Sequence, residues 1–189
     1  TIHQVADVVI SLPVLKIWDP FEPSGSAVSL TLKNMIGTAP GRFYGWSKSG
    51  LPHFKTNDPS DLMFGQSIQE AGMVVDICTV NRVNIGLVDA LTVMHFADER
   101  KSEDLLDAEN YRVEELNMLV AGYDPVAVDS VGCAVMGFNP KRIVHLNLAV
   151  EKRLGTNDLN EIALVGERLE DVRRTCNPMP WHSEIVDRG

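Results

Sequence analysis

The chain contains a segment that has no acidic residue and several groups able to hold an anion. Within residues 24–57 there is no Asp or Glu, whereas Lys33, Arg42, Lys48 and Lys55 give a local net charge of +4. Lysine and arginine supply the positive charge that phosphate or carboxylate groups require. The segment therefore predicts a site for a small anionic ligand. A solvated loop with scattered bases explains the same pattern and remains an alternative.

Three further residues belong to the predicted anion site. Lys16 lies just upstream, Asn34 follows Lys33, and Gly37 opens a stretch where backbone N–H groups can approach a ligand closely. The stretch Gly-Thr-Ala-Pro-Gly at 37–41 is followed by Arg-Phe and not by Lys-Ser or Lys-Thr, so it is not a Walker motif. Single-stranded nucleic acid is a weaker alternative, because the whole chain has a net charge of −9.

Three residues are candidates for catalysis or metal binding. His53 lies in the same segment, and an imidazole has an unperturbed pKa near neutrality, although a lone His is more often a plain surface residue. Asp89 ends an apolar strand pattern, and ligands of parallel sheets bind beyond strand carboxyl ends; the alternative is that it caps the following turn. Asp129 lies one turn into an apolar helix and needs a partner if buried, which an ion pair with Lys16 or Lys33 would also supply. Asp89 and Asp129 are the predicted ligands of a divalent metal such as Mg, Mn, Fe or Zn.

Composition and charge limit the classes of function. With 44% hydrophobic and 23% charged residues among 189, the chain is typical of a folded globular protein. The net charge argues against general nucleic-acid binding. Its three cysteines are far apart, so the chain carries neither a disulfide framework nor an iron–sulfur cluster motif. No apolar run approaches the ~20 residues of a membrane span. No targeting signal is recognised, which favours a cytoplasmic location.

The secondary-structure elements that must position these residues indicate an α/β protein. Apolar runs at 5–13, 83–91, 116–122 and 162–166 predict strands, and 124–136 and 140–154 predict helices that end at glycine. Strands that alternate with helices indicate a largely parallel sheet flanked by helices. We expect an α/β domain over residues 1–167, followed by an irregular C-terminal strap over 168–189.

Several of these segments together resemble one protein family. They are ADVVISLPVLK at 6–16, VSLTLKNMIG at 28–37, His53, LVD at 87–89, AGYDPVAVD at 121–129 and MGFNP at 136–140. In order and spacing they are similar to the "domain of unknown function 362" family of α/β proteins, which are often described as iron–sulfur-centre proteins. The resemblance covers roughly residues 5–166.

The resemblance implies that the chain is the C-terminal portion of a larger α/β fold. An upstream segment or a ferredoxin-like module is the partner it suggests. Two positions depart from the family pattern: Trp18 stands where a His is common, and residues 92–96 replace a glycine-rich stretch. Because the family's reaction is not established, the resemblance supplies a fold and a residue set without a mechanism.

The resulting hypothesis is an enzyme domain that binds a small anionic metabolite, with metal-assisted or redox-linked chemistry. The alternative is a non-catalytic accessory domain that docks on a redox partner through its long loop or through the acidic stretch at 98–115. An inactive remnant is a third reading. Neither nucleic acid nor a membrane span is expected, and the oligomeric state stays open.

Overall fold

The computed structural model describes residues 5–18, 27–44, 65–104 and 107–187. In these ranges the strands are β1 (Ile10–Ser11), β2 (Val14–Ile17), β3 (Val28–Ser29), β4 (Ile85–Phe96) and β5 (Tyr111–Gly122). The α-helices are α1 (Thr31–Asn34), α2 (Gly41–Tyr44), α3 (Gly65–Val80), α4 (Pro125–Val135), α5 (Val144–Glu151) and α6 (Leu169–Val172). Short 3-10 helices cover Met35–Thr38, Ala108–Asn110, Pro140–Arg142 and Pro180–Ile185. None of the helices in the described ranges is long and apolar enough to cross a membrane.

Strand β4 lies at the centre of the sheet. β1 and β2 pair with it in parallel on one side, and β5 pairs with it antiparallel on the other. β3 joins the outer edge of β2 in the antiparallel direction. Three of the five described strands therefore run the same way, and the predicted α/β class with a mostly parallel sheet flanked by helices is confirmed.

One face of the sheet carries the core. Helices α1 and α4 pack against it, and α3 and α5 pack behind them. Val88 and Ala90 of β4 are fully buried there. A Cβ at Gly86 would lie 3.0 Å from the Thr31 hydroxyl and 3.1 Å from Val128, so glycine permits this close approach of helix and strand.

The opposite face is apolar and largely exposed, and we call it the open face. It is formed by Ile10, Leu12, Val14, Leu87 and Leu119, of which Ile10, Leu12 and Leu119 are 55%, 61% and 61% exposed. The register places these side chains together, because Ile10 pairs with Ile85, Val14 with Asp89, and Asp89 with Leu119. Successive side chains alternate between faces, so these residues point away from buried Val88 and Ala90.

The helix signals around residue 124 predict α4 correctly. Asp124 accepts hydrogen bonds from the backbone N–H groups of Val126 and Ala127 at 2.8 and 2.9 Å, which is the N-cap arrangement. Pro125 occupies the first turn, where its missing N–H has no cost. Gly137 follows the helix with φ +80°, the left-handed conformation that glycine adopts freely.

Three predicted elements are wrong. The strand predicted at 5–13 forms only from Ile10, and Val5 and Val8 are exposed because no helix of the described ranges packs over them. The helix predicted at 140–154 is divided by Ile143 into a 3-10 turn and α5. The strand predicted at 162–166 is irregular, because no other described backbone pairs with it.

The chain after α6 runs along the domain as an extended strap with short helical turns. The N–H groups of Arg174 and Cys176 donate to the carbonyls of Val135 and Met136, at the end of α4. Asn177 forms a bridge with Phe96 at the end of β4. The strap therefore fastens the end of α4 to the end of the central strand.

We predict that Gly155→Ala lowers the free energy of unfolding by about 2–4 kcal/mol. A Cβ at residue 155 would lie 1.9 Å from the Asp124 carboxylate oxygen and would displace it from the α4 cap. The measurement is urea unfolding followed by circular dichroism.

The matched control is Gly72→Ala, in the middle of α3. A Cβ there meets nothing within 4 Å, so this variant gains about 0.5–1 kcal/mol from the higher helix propensity of alanine. Equal stability of the two alanine variants would contradict the position of the Asp124 carboxylate.

Candidate functional site

Asp129 is a buried carboxylate that holds the start of a helix. It lies in α4, has 0% exposure, and accepts the backbone N–H of Thr31 at 2.7 Å and of Leu32 at 2.9 Å. These two N–H groups belong to the first turn of α1, whose donors have no partner within the helix. The adjacent Leu30 provides no side-chain cap. Asp129 therefore supplies, from 98 residues away, the cap that the local sequence lacks.

The surroundings of Asp129 favour its protonated form. Burial raises the pKa of its carboxyl to about 7, while the N–H groups of Leu32 and Thr31 oppose the rise and the Asp124 carboxylate adds to it. The nearby Cys78 thiol is buried, and desolvation together with Asp129 raises its pKa to about 12. That thiol is consequently a poor nucleophile at neutral pH.

Lys33 and Glu70 form a buried ion pair next to this cap. Lys33 Nζ lies 3.1 Å from Glu70 Oε1, and the two side chains are 9% and 7% exposed. Lys33 Nζ also donates to the carbonyl oxygen of Trp18 at 3.0 Å. Because Trp18 directly follows β2, this pair lies at the carboxyl end of the parallel strands. Ligands of α/β proteins bind at this end of the strands.

Two of the predicted anion-binding residues lie close to this pair in the chain. Asn34 ends α1, and its amide donates to the hydroxyl of Ser11 at 3.1 Å, which itself donates to the Thr31 carbonyl. Gly37 lies in the 3-10 helix that continues α1. Arg42 is exposed in α2, with its guanidinium 4.5 Å from the centre of the Phe43 ring.

Asp89 and Lys16 lie on the other side of the sheet. Asp89 is in the interior of β4, seven residues before its end, and its Oδ1 accepts the N–H of Leu91 at 2.9 Å. Its position on the open face separates it from Asp129, which is buried on the core face. Lys16 is on the open face as well, opposite Met94.

The remaining predicted groups do not form a cluster in the described ranges. His53, Lys48 and Lys55 lie outside them. Among the described residues there is no group of three or more His, Cys, Asp or Glu side chains that could hold a metal ion.

Glu70 was not among the predicted site residues. A signal for it exists in the sequence, because Glu70, Val74 and Cys78 recur at a spacing of four residues. An acid in such a stripe faces the core and needs a cation. The stripe can be recognised in the sequence. That its cation is Lys33, which lies on another element, depends on the fold.

A second group of cations lies at the opposite end of the strands, where β4 begins and β5 ends. A cleft of about 540 Å³ is lined by Arg82, Lys152 and Arg153 together with the exposed Tyr123. Arg82 follows the end of α3, and Lys152 and Arg153 follow the end of α5. Cations are favoured at helix carboxyl ends, so these three are accounted for without a ligand.

The chain matches a known protein family. The family described as "Domain of unknown function (DUF362)" matches residues 2–134, which is 133 of the 189 residues. No curated protein and no solved structure shows significant similarity to the chain. The matched range includes Asp129, Lys33 and Glu70, and it ends within α4.

We predict that Asp129 makes the stability of the fold depend on pH. Its pKa in the folded state, about 7, lies above the ordinary aspartate value of 3.8, so the folded chain binds the proton more tightly. This contribution is complete below about pH 4 and is lost as pH rises to about 7, up to roughly 4 kcal/mol in total.

The measurement is urea unfolding at several pH values between about 4 and 8, for the wild type and Asp129→Asn. The difference in stability between the two should narrow as pH rises, because asparagine does not titrate. A difference that stays constant over this range would contradict the assignment.

Proposed function

Because the chain belongs to the DUF362 family, whose name assigns no activity, we propose from the site itself that the domain binds a small anionic metabolite through Lys33. The observation that carries the proposal is a buried ammonium at the carboxyl end of the parallel strands. Carboxylate and phosphate groups are the ligand classes that such a cation recognises.

The hydrogen bonding of Lys33 supports this role. A lysine ammonium has three N–H donors. One is used by Glu70 and one by the carbonyl of Trp18, which leaves one without a partner among the described residues. Glu70 holds the side chain in place, and Asp129 holds the helix from which Lys33 projects. The cation is therefore positioned before a ligand arrives, which lowers the entropic cost of binding.

The other predicted residues have no assigned contact in this proposal. Asn34 and Gly37 follow Lys33 on the same helical segment, but the Asn34 amide donates to Ser11 before β2, so both remain predictions as anion contacts. Arg42, Lys16, His53 and Asp89 remain predictions, as does a divalent metal. No chemical step is assigned to them here, since no described contact joins them to Lys33.

The test is isothermal titration calorimetry with inorganic phosphate and with citrate as probes. We use the double variant Lys33→Met with Glu70→Leu, because replacing both members of a buried pair by apolar residues is close to neutral for stability. The double variant should bind the better probe at least about tenfold more weakly than the wild type.

The matched control is Lys152→Met, which removes one lysine charge from the opposite end of the strands. It should bind like the wild type. Equal binding by the wild type and the double variant, or loss of binding only in Lys152→Met, would contradict the assignment to Lys33.

A second candidate function is docking on another protein, and the open face favours it. Parallel strands are normally covered on both faces by helices, whereas the helices of the described ranges cover one face. Asp89 lies among the apolar residues of the open face, and its Oδ2 has no described partner. We propose as the occupant an amphipathic helix of a partner domain that places a Lys or Arg opposite Asp89.

The test is size-exclusion chromatography with light scattering on the complex purified from its native cells, with cross-linking to locate the contact. Leu12→Lys with Val14→Lys should release a helical partner, whereas Val80→Lys, at a 70% exposed residue at the end of α3, should retain it. A chain that is monomeric or homodimeric in all three forms would exclude this function.

A further inference from the structure

A cleft of about 830 Å³ runs along the edge of the sheet beside β5, and we call it the edge cleft. One wall is the second half of β5, residues 117–122, and the other is the irregular segment 161–167. Side chains of α4, including Val128, Val131 and Val135, form its floor. The edge cleft does not include Lys33, and it meets the open face at Leu119.

Both walls of the edge cleft present unpaired backbone. Strand β5 pairs with β4 along one edge, and no described strand pairs with its other edge. Residues 162–166 make no backbone hydrogen bond within the described part of the chain. An open strand edge is a template for pairing with another extended segment. A strand placed in this cleft would find hydrogen-bonding groups beside it.

The two halves of β5 differ in the charge that they carry along this unpaired edge. The first half carries Arg112, Glu114 and Glu115, charges of the kind that block strand pairing. The second half, NMLVAG at 117–122, has no charge. A bulge at Asn117, with φ +55°, separates the halves, since two residues of β5 oppose one of β4 there. Only the uncharged half lines the edge cleft.

The side chains of the cleft favour an apolar occupant. Met118 and Val120 on β5, Ile162 on the opposite wall, and Leu169 on α6 contribute aliphatic surface. Val165 is 99% exposed. The segment 162–166 has the sequence pattern of a strand, but no described strand pairs with it. For this reason the strand predicted there is not formed.

The charges at the cleft select the kind of partner. Its charged lining residues are Asp124, Glu161 and Glu167, and no Lys or Arg lines it. The chain as a whole has a net charge of −9. A second copy would therefore bring like charges together at this edge, whereas a segment flanked by Lys or Arg would be attracted to it.

We propose that the edge cleft binds an extended peptide segment of a partner protein, apolar at its centre and flanked by basic residues, which adds to β5 as a strand. Main-chain hydrogen bonds to residues 117–122 supply the pairing, and alternate side chains enter the cleft above α4. This interaction surface is distinct from the proposed anion site, and it borders the open face at Leu119.

The test uses a fluorescein-labelled peptide in which Val and Thr alternate between two pairs of Lys, with binding to the full chain measured by fluorescence polarisation. One control peptide carries N-methyl groups on alternate backbone nitrogens, which removes the donors on one edge. Another has Glu in place of every Lys. Each control should bind at least about tenfold more weakly than the parent peptide.

Protein variants locate the site. Glu167→Lys should weaken binding of the parent peptide by about threefold, whereas the matched change Glu151→Lys, outside the cleft, should leave it unchanged. Hydrogen exchange of the amides at 117–122 should slow when the peptide is bound.

Equal binding of the parent and N-methylated peptides would show attraction by charge alone and would overturn the proposal. Self-association of the chain with protection of 117–122 in the absence of peptide would overturn it as well, in favour of a second copy as the occupant.

Discussion

The carboxylate of Asp129 joins two parts of the fold that lie 98 residues apart in the sequence. Both of its oxygens accept backbone N–H groups from the first turn of α1, a helix of only four residues. A helix that short is not stable by itself, because one turn forms too few hydrogen bonds to offset the unfavourable free energy of nucleation. α1 therefore depends on the cap from α4 and on packing, and so does the position of Lys33 within it.

The same constraint explains how charges are placed in the interior. A buried charge costs several kcal/mol unless it is paired or hydrogen-bonded. Lys33 is paired with Glu70 and with a strand-end carbonyl, and Asp129 is satisfied by N–H groups. Lys33 lies on α1 and Asp129 in α4 contacts the first turn of the same helix, so the two ionisable groups are close together while each is satisfied separately. An ion pair between Asp129 and Lys33, one of the predicted alternatives, is not formed.

Local signals were sufficient for the elements that contain their own start and stop. The Asp124 and Pro125 start and the Gly137 stop define α4 without any knowledge of the rest of the chain. The length of a strand and the position of a residue within it could not be predicted from local signals. The apolar run around Asp89 predicted a strand correctly, but β4 continues to Phe96 and places Asp89 in its interior.

The candidate site was predictable only in part, for the same reason. Lys33 and Asn34 were selected by residue type, but only Lys33 contacts the carboxyl end of β2, whereas Asn34 contacts Ser11 at the end of β1. Which face a strand residue occupies is decided by pairing and register, so the separation of Asp89 and Lys16 from Asp129 could not be read from spacing. The role of Asp129 likewise depends on α1 and α4 packing together. His53 lies outside the described residues and stays a prediction.

The most direct test of this account is the amide proton shifts of Thr31 and Leu32, followed by NMR across about pH 5–9. If the Asp129 carboxyl holds both N–H groups, the two signals will titrate together with a shared midpoint near pH 7, and the change will vanish in Asp129→Asn. Shifts that stay constant through this range, or that titrate alike in the variant, would contradict the claim that Asp129 caps α1.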